Sequence, residues 1–219
     1  MTSLLVAVQD TPDSARWVQA LRGQAHWLVQ GPVHSLADTR ELMRHYRPDL
    51  LVADLWLHDG PLGEALRPLN LGSGLPTAMS GCHVLTLSPG ATHPLLLDAL
   101  QSGADSYFDT STGSTQELIA LASETLAGGA RIAPWIARQM LDHFDPRERR
   151  SRRAHFEDLV NPLGLTLAER DLLRHLAVGE NLQDLARAEG VRPRDLAARV
   201  RLIYRKMQWS ERAGQLALS

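Results

Sequence analysis

Residues 47–57 read Arg47-Pro48-Asp49-Leu50-Leu51-Val52-Ala53-Asp54-Leu55-Trp56-Leu57. Leu50–Ala53 is a short apolar run, the pattern of a buried strand, and an acid, Asp54, closes it. Working outward, similar runs occupy Leu4–Val8, His26–Gln30, Val84–Leu87 and Ser106–Phe108. Between them, apolar residues recur at helical spacing over Asp13–Leu21, Leu36–Tyr46, Leu62–Leu69, Pro94–Ser102 and Thr115–Ala127. Five strands alternating with five helices predict a parallel sheet covered on both faces. Such a sheet places its functional site at the carboxyl ends of its strands, where Asp54 stands. Asn70–Gly81 is rich in Gly, Ser and Pro and reads as a loop.

The chain has 219 residues, 44% of them hydrophobic and 22% charged, as in ordinary globular proteins. No apolar run approaches the roughly 20 residues of a membrane helix. Met1–Val8 lacks the basic leader of a secretory signal and reads as a strand. The only cysteine is Cys82, which excludes an internal disulfide and points to the cytoplasm. The net charge of −2 conceals an asymmetry. Residues 1–146 carry 8 Arg and 15 acids, whereas residues 147–219 carry 15 basic residues and 10 acids. Only the second half is therefore expected to meet nucleic acid.

That second half reads as all-helical. Ala133–Phe144 is an additional helix, and Asp145–Arg153 is a charged run without apolar periodicity, hence a linker. Helical patterns follow at Thr166–Val178, Leu182–Ala188, Pro193–Met207 and Ser210–Leu218. Thr166 and Glu169 form a capping box, and Leu172, Leu173, Leu176 and Ala177 form an apolar stripe. Asn181 caps the next helix, whose Leu182, Leu185 and Ala186 face inward; Gly190-Val191 turns the chain, and Pro193 opens a helix bearing Leu196, Val200, Ile203 and Met207 on one face. Short helix, glycine turn and long helix is the helix-turn-helix plan. The expected division is 1–130, a connecting segment of extra helix and linker at 131–159, and 160–219.

The first half resembles the receiver domain of bacterial response regulators of the NarL/LuxR type. The strand ending in Asp54, the strand Val84-Leu85-Thr86-Leu87-Ser88, the turn Gly103-Ala104-Asp105-Ser106-Tyr107-Phe108 and the run Leu126–Pro134 carry the likeness, which spans nearly all of residues 1–142. It implies a (βα)5, flavodoxin-like fold in which Asp54 is the phosphoacceptor and Ser88 the partner hydroxyl. Phosphoryl transfer to a carboxylate needs a divalent cation held by acids, and an amine on the phosphoryl oxygens. Two departures matter. Gln9 and Asp10 stand where the family has paired acids, and Thr110 stands where it has a lysine. The sole lysine of the chain is Lys206, in the other half.

Three readings of this pocket stay open. Asp54 is phosphorylated slowly, with Asp10, Asp54 and the Trp56 carbonyl holding Mg2+; or the pocket is inert; or it takes another ligand. In each, Asp10 and Asp54 are expected close together, facing solvent. No cofactor is obligatory. Trp17, Trp27, Trp56 and Trp135 are expected in the core before an interface.

Residues 160–219 resemble the LuxR-type DNA-binding domain, through Leu165-Thr166-x-x-Glu169, Gly190-Val191, Ile203, Lys206-Met207 and Ser210-x-Arg212. The resemblance implies that the helix opened by Pro193 enters the major groove. Arg192, Arg194, Arg199, Arg201, Arg205 and Lys206 are the candidate DNA contacts, and arginine can read guanine through two parallel hydrogen bonds. Asp195-Leu196-Ala197 replaces the family's Thr-Val-Lys, Arg199 its His, and Glu189 a core Leu. The bland alternative is a solvated face in which Asp184, Glu189 and Asp195 balance the arginines.

His58, Cys82, His83 and His93 match no strong metal spacing. Asp54, Ser88 and a histidine lack the glycine pattern of a nucleophile elbow, so an enzyme is not expected. The resulting expectation is a DNA-binding transcriptional regulator with a receiver phosphorylated weakly or not at all. It would act as a homodimer, with a sensor histidine kinase or another protein as input and no membrane partner. The alternative is a protein-interaction modulator of another regulator that binds no DNA.

Overall fold

The computed structural model describes residues 1–67, 81–144 and 164–216, with side chains as far as residue 213. The Asn70–Gly81 loop up to residue 80 and the Asp145–Arg153 linker lie outside the described residues. The chain forms two compact units, Met1–Arg131 and Ile132–Ser219.

The first unit runs β1 (Thr2–Ala7), α1 (Pro12–Arg22), β2 (Trp27–Val33), α2 (Leu36–Tyr46), β3 (Leu50–Asp54), β4 (Trp56–Leu57), β5 (Gly60–Pro61), α3 (Leu62–Leu66), β6 (His83–Ser88), α4 (Pro94–Ser102), β7 (Ser106–Asp109) and α5 (Thr115–Leu126). The five long strands form one parallel sheet in the order β2-β1-β3-β6-β7. Numbering only those strands, this is the flavodoxin-like order 2-1-3-4-5, with its switch point beside β1 and β3. The apolar runs found in the sequence are these strands to within a few residues. In β3, Leu50 to Ala53 are all fully buried, because both sheet faces are covered.

Side-chain hydroxyls of Thr11, Ser35 and Ser114 set the starts of α1, α2 and α5. Thr11 Oγ1 accepts from Ser14 N at 3.1 Å, with Pro12 in the first turn of α1. Ser14, Trp17, Val18 and Leu21 then face the sheet at helical spacing. The edge of Trp17 meets the ring of Phe108, with centroids 5.2 Å apart and planes at 77°. Trp17 and Trp27 are core residues, whereas Trp135 is half-buried and Trp56 is 48% exposed. The hairpin β4–β5, which sequence periodicity did not indicate, explains that exposure: Trp56 pairs with Pro61 on its outer edge. Asp59 at its tip accepts from Leu36 N and Ala37 N, tying the hairpin to the start of α2.

The second unit contains α6 (Pro134–His143), α7 (Leu167–Ala177), α8 (Leu182–Glu189) and α9 (Pro193–Leu216). Helix α6, expected as part of the connecting segment 131–159, packs on α7, and Arg138 Nε donates to Ala177 O at 2.9 Å. The capping box is present: Thr166 Oγ1 accepts from Glu169 N, and the Glu169 carboxylate accepts from Thr166 N at 2.7 Å. Gly190, at φ 68°, ends α8 in the left-handed region that glycine reaches without strain. The stripe Leu196, Val200, Ile203 and Met207 is buried, and Tyr204 is buried with it. The expected break between Pro193–Met207 and a helix from Ser210 is absent; α9 runs from Pro193 to Leu216 without interruption. Gln208-Trp209 contains neither glycine nor proline, and Gln208 is fully buried, so nothing there stops the helix.

Candidate functional site

A cavity of about 350 Å3 opens at the carboxyl ends of the sheet. Its lining combines polar groups (Gln9, Asp54, Thr110, His93, Arg16) with an apolar wall that includes Trp17, Trp56 and Leu87. Asp54, at the end of β3, accepts from Gln9 N at 2.7 Å through Oδ2. Burial pushes its carboxyl up to about 6, and the Gln9 N–H offsets only part of that rise. No cation bonds Asp54 among the described residues. The Gln9 side chain reaches over the strand ends, its Nε2 donating to Trp56 O at 3.1 Å. Thr110 Oγ1 donates to Ser88 O at 3.1 Å.

Two expected members are placed elsewhere. Asp10 is exposed and does not line the cavity, so it does not join Asp54 there. The chain turns out of β1 at this point: Thr11 N bonds back to Gln9 O, and Thr11 starts α1. Ser88 is fully buried, its Oγ donating to Gly90 O at 2.6 Å, and it too is absent from the lining. Arg16 was missed because it lies on a helix rather than at a strand end. A polar residue in the second turn of a helix entering the switch point was the available signal.

In the second unit, the buried side of α9 leaves Arg194, Ala198, Arg201, Leu202 and Arg205 on the remaining face, Leu202 being 57% exposed. Several candidate cations are already paired. Arg192 grips Asp195 with two hydrogen bonds of 3.0 and 3.1 Å, which lowers the Asp195 carboxyl and raises the Arg192 guanidinium. Arg199 pairs with Glu189 at 3.0 Å. Lys206, expected among the DNA contacts, is committed inward: its Nζ donates to Glu169 Oε2 at 2.6 Å and to Gly164 O at 3.1 Å.

No family model matches the chain, and no curated protein does. Solved structures do. The signal receiver domain of the putative response regulator NarL from Mycobacterium tuberculosis is 21% identical, over 58% of this chain and 98% of that chain, with a TM-score of 0.49. ChrA, a response regulator of a haem-sensing two-component system, is 17% identical over 98% of both chains, with a TM-score of 0.48. RcsB from Salmonella enterica serovar Typhimurium, solved bound to a promoter with a phosphomimetic, is 12% identical over 94% of this chain and 91% of that chain, at 0.48. The strand order and the all-parallel pairing decide the fold. The first unit has the receiver fold.

A receiver's phosphoryl chemistry implies Mg2+, which needs oxygen ligands in near-octahedral array. The residues present do not fit it. Asp10 is exposed and absent from the cavity lining, the Trp56 carbonyl already accepts from the Gln9 amide, and no group of three His, Cys, Asp or Glu among the described residues could hold a metal. Asp54 thus closes β3 without a cluster of further acids around it among the described residues.

Proposed function

We propose that this chain is a DNA-binding transcriptional regulator whose receiver works without stoichiometric phosphorylation. The observation that carries the reading is the arginine-bearing face of α9, presented by the helix–turn–helix order α8, Gly190, α9. Arg194, Arg201 and Arg205 supply cations for phosphates and guanines, and α7 supports the unit through the Glu169–Lys206 pair. The acidic first half has no role on the nucleic acid. It sets the state of a homodimer, and with it the spacing of two recognition helices, in response to a kinase or another protein in the cytoplasm. No described helix is long and apolar enough to cross a membrane.

Binding to a duplex of about 30 base pairs at low salt tests the DNA reading. The variant Arg199→Glu with Arg201→Glu should lose affinity while keeping its helical circular dichroism. Unchanged affinity would remove α9 as the DNA-binding element. For the receiver, intact mass after incubation with a small phosphodonor and Mg2+ should show little or no phosphoryl addition. A full phosphoryl mass that disappears in Asp54→Ala would overturn this reading.

One observation favours the rival, a modulator of another regulator that binds no DNA. Arg192 and Arg199 are neutralised by Asp195 and Glu189. Genome-wide DNA capture separates the two, since discrete enriched sites belong only to the regulator.

A further inference from the structure

We propose that the cavity at the carboxyl end of the receiver sheet is a binding site for a small organic cation, a protonated amine on an apolar or aromatic stem. This rests on the reading of the receiver as an input that works without a metal-held phosphoryl group.

The polar lining is rich in unused acceptors. Asp54 receives one N–H, from Gln9, on Oδ2. No second donor reaches its carboxylate among the described residues. Gln9 spends its Nε2 on the Trp56 carbonyl, which leaves Oε1 as an acceptor. Thr110 spends its hydroxyl proton on Ser88 O, which leaves its lone pairs. Three acceptors thus come from the ends of β1, β3 and β7. An ammonium is the complement, with three N–H donors and no acceptor. A partly buried carboxylate without a counter-charge is costly, and a bound cation removes that cost.

The apolar lining points the same way. Trp17, Leu55, Trp56, Leu87 and Pro89 give the cavity a wall that a bare ion would not use. Its aromatic faces already attract cations: the Arg16 guanidinium sits 4.1 Å from the Trp17 ring centroid. Trp56 is 48% exposed, and its ring makes no ring or cation contact among the described residues. A half-exposed tryptophan beside an unpaired carboxylate is how proteins hold alkylammonium groups.

Charge decides the sign of the ligand. Asp13 and Asp54 line the cavity against Arg16. Residues 1–131 as a whole carry 13 acids and 7 arginines. Their field concentrates cations at the mouth and repels free anions. The volume of about 350 Å3 suits a metabolite-sized molecule. A hard metal ion is disfavoured by the Gln9 Nε2 donor set against the Trp56 carbonyl and by the lack of a cluster of acids among the described residues.

Calorimetric titration of the full chain with phenethylamine, protonated at neutral pH, tests this against neutral 2-phenylethanol, anionic phenylacetate and inorganic phosphate. The amine should bind saturably in the millimolar range or tighter, at least about tenfold more tightly than the alcohol. Asp54→Asn should weaken it about tenfold, while Asp10→Asn, the same charge change outside the cavity, should leave it unaltered. The inference is overturned by absence of saturable heat with the amine, by equal binding of the alcohol, or by equal losses in the two variants. Preferential binding of phenylacetate or phosphate overturns it in favour of an anion site. The same preparation, assayed on duplex DNA, reports separately on the regulator reading.

Discussion

Replacing Lys206 by Met keeps the aliphatic stem and removes the ammonium. The ammonium makes two charge-assisted contacts, 2.6 Å to Glu169 Oε2 and 3.1 Å to Gly164 O, with only 18% of its side chain exposed. A hydrogen bond to a charged group contributes about 1.5–3 kcal/mol, and Glu169 would be left largely buried with only its Thr166 bonds. The expected loss is about 2–3 kcal/mol, a fall in the second unit's melting temperature of roughly 10–20 °C. Lys206→Met should leave the salt dependence of DNA binding unchanged at temperatures where the unit is folded, because the ammonium does not face solvent. Loss of a phosphate contact would instead lower the log–log salt slope by about 0.9. A variant that melts normally and binds with that smaller slope would refute the structural role. The pH dependence supplies a second reading. Burial raises the Glu169 carboxyl, but the Lys206 and Thr166 donors outweigh it and hold it below its ordinary 4.5. Its contribution is therefore full above that value and is lost as pH falls through the lower folded value. Wild type should shed this advantage over Lys206→Met in acid.

Asp54 behaves in the opposite sense. Its carboxyl is raised from 3.8 to about 6, so the folded receiver binds more protons than the unfolded chain between those values, and stability falls as pH rises through that window. Asp54→Asn should match wild type near pH 4 and exceed it by about 2–3 kcal/mol near pH 7.5, read by hydrogen exchange in β3; an equal difference at both pH values would refute the assignment. Asp195→Asn weakens the hold on Arg192 and removes a negative charge from α9, the helix proposed to meet DNA. Affinity for non-specific duplex at about 0.1 M salt should rise about five- to tenfold, and no gain would mean that Asp195 does not compete for that cation.

The parallel sheet was legible because β1, β3 and β6 are buried on both faces and read as continuous apolar runs, bounded by residues that cap helices. Asp54 was legible for the same reason, as the first acid after such a run. The hairpin Trp56–Pro61 was not, since its strands are two residues long and no periodicity can register in them. Nor was the exclusion of Asp10. Adjacent polar residues differ only in backbone direction, and the turn into α1 gives the cavity to Gln9. Lys206 misled for a related reason: helical spacing places it beside Arg205, but the partner that claims it, Glu169, lies 37 residues away. The continuity of α9 was hidden too, because Gln208, though buried, is polar and interrupts the apolar pattern of the sequence.

The Gln9 bridge to the Trp56 carbonyl bears on how many changes a phosphoryl site would need here. A metal-held phosphoryl site here would need that amide to let go, a further acid to face Asp54 and an ammonium to arrive where Thr110 stands. None of these steps helps without the others. An acid at position 9 alone would add a second unpaired charge beside Asp54, and a lysine at 110 alone would meet no phosphoryl group. The three positions are therefore epistatic, their joint effect far from the sum of single changes.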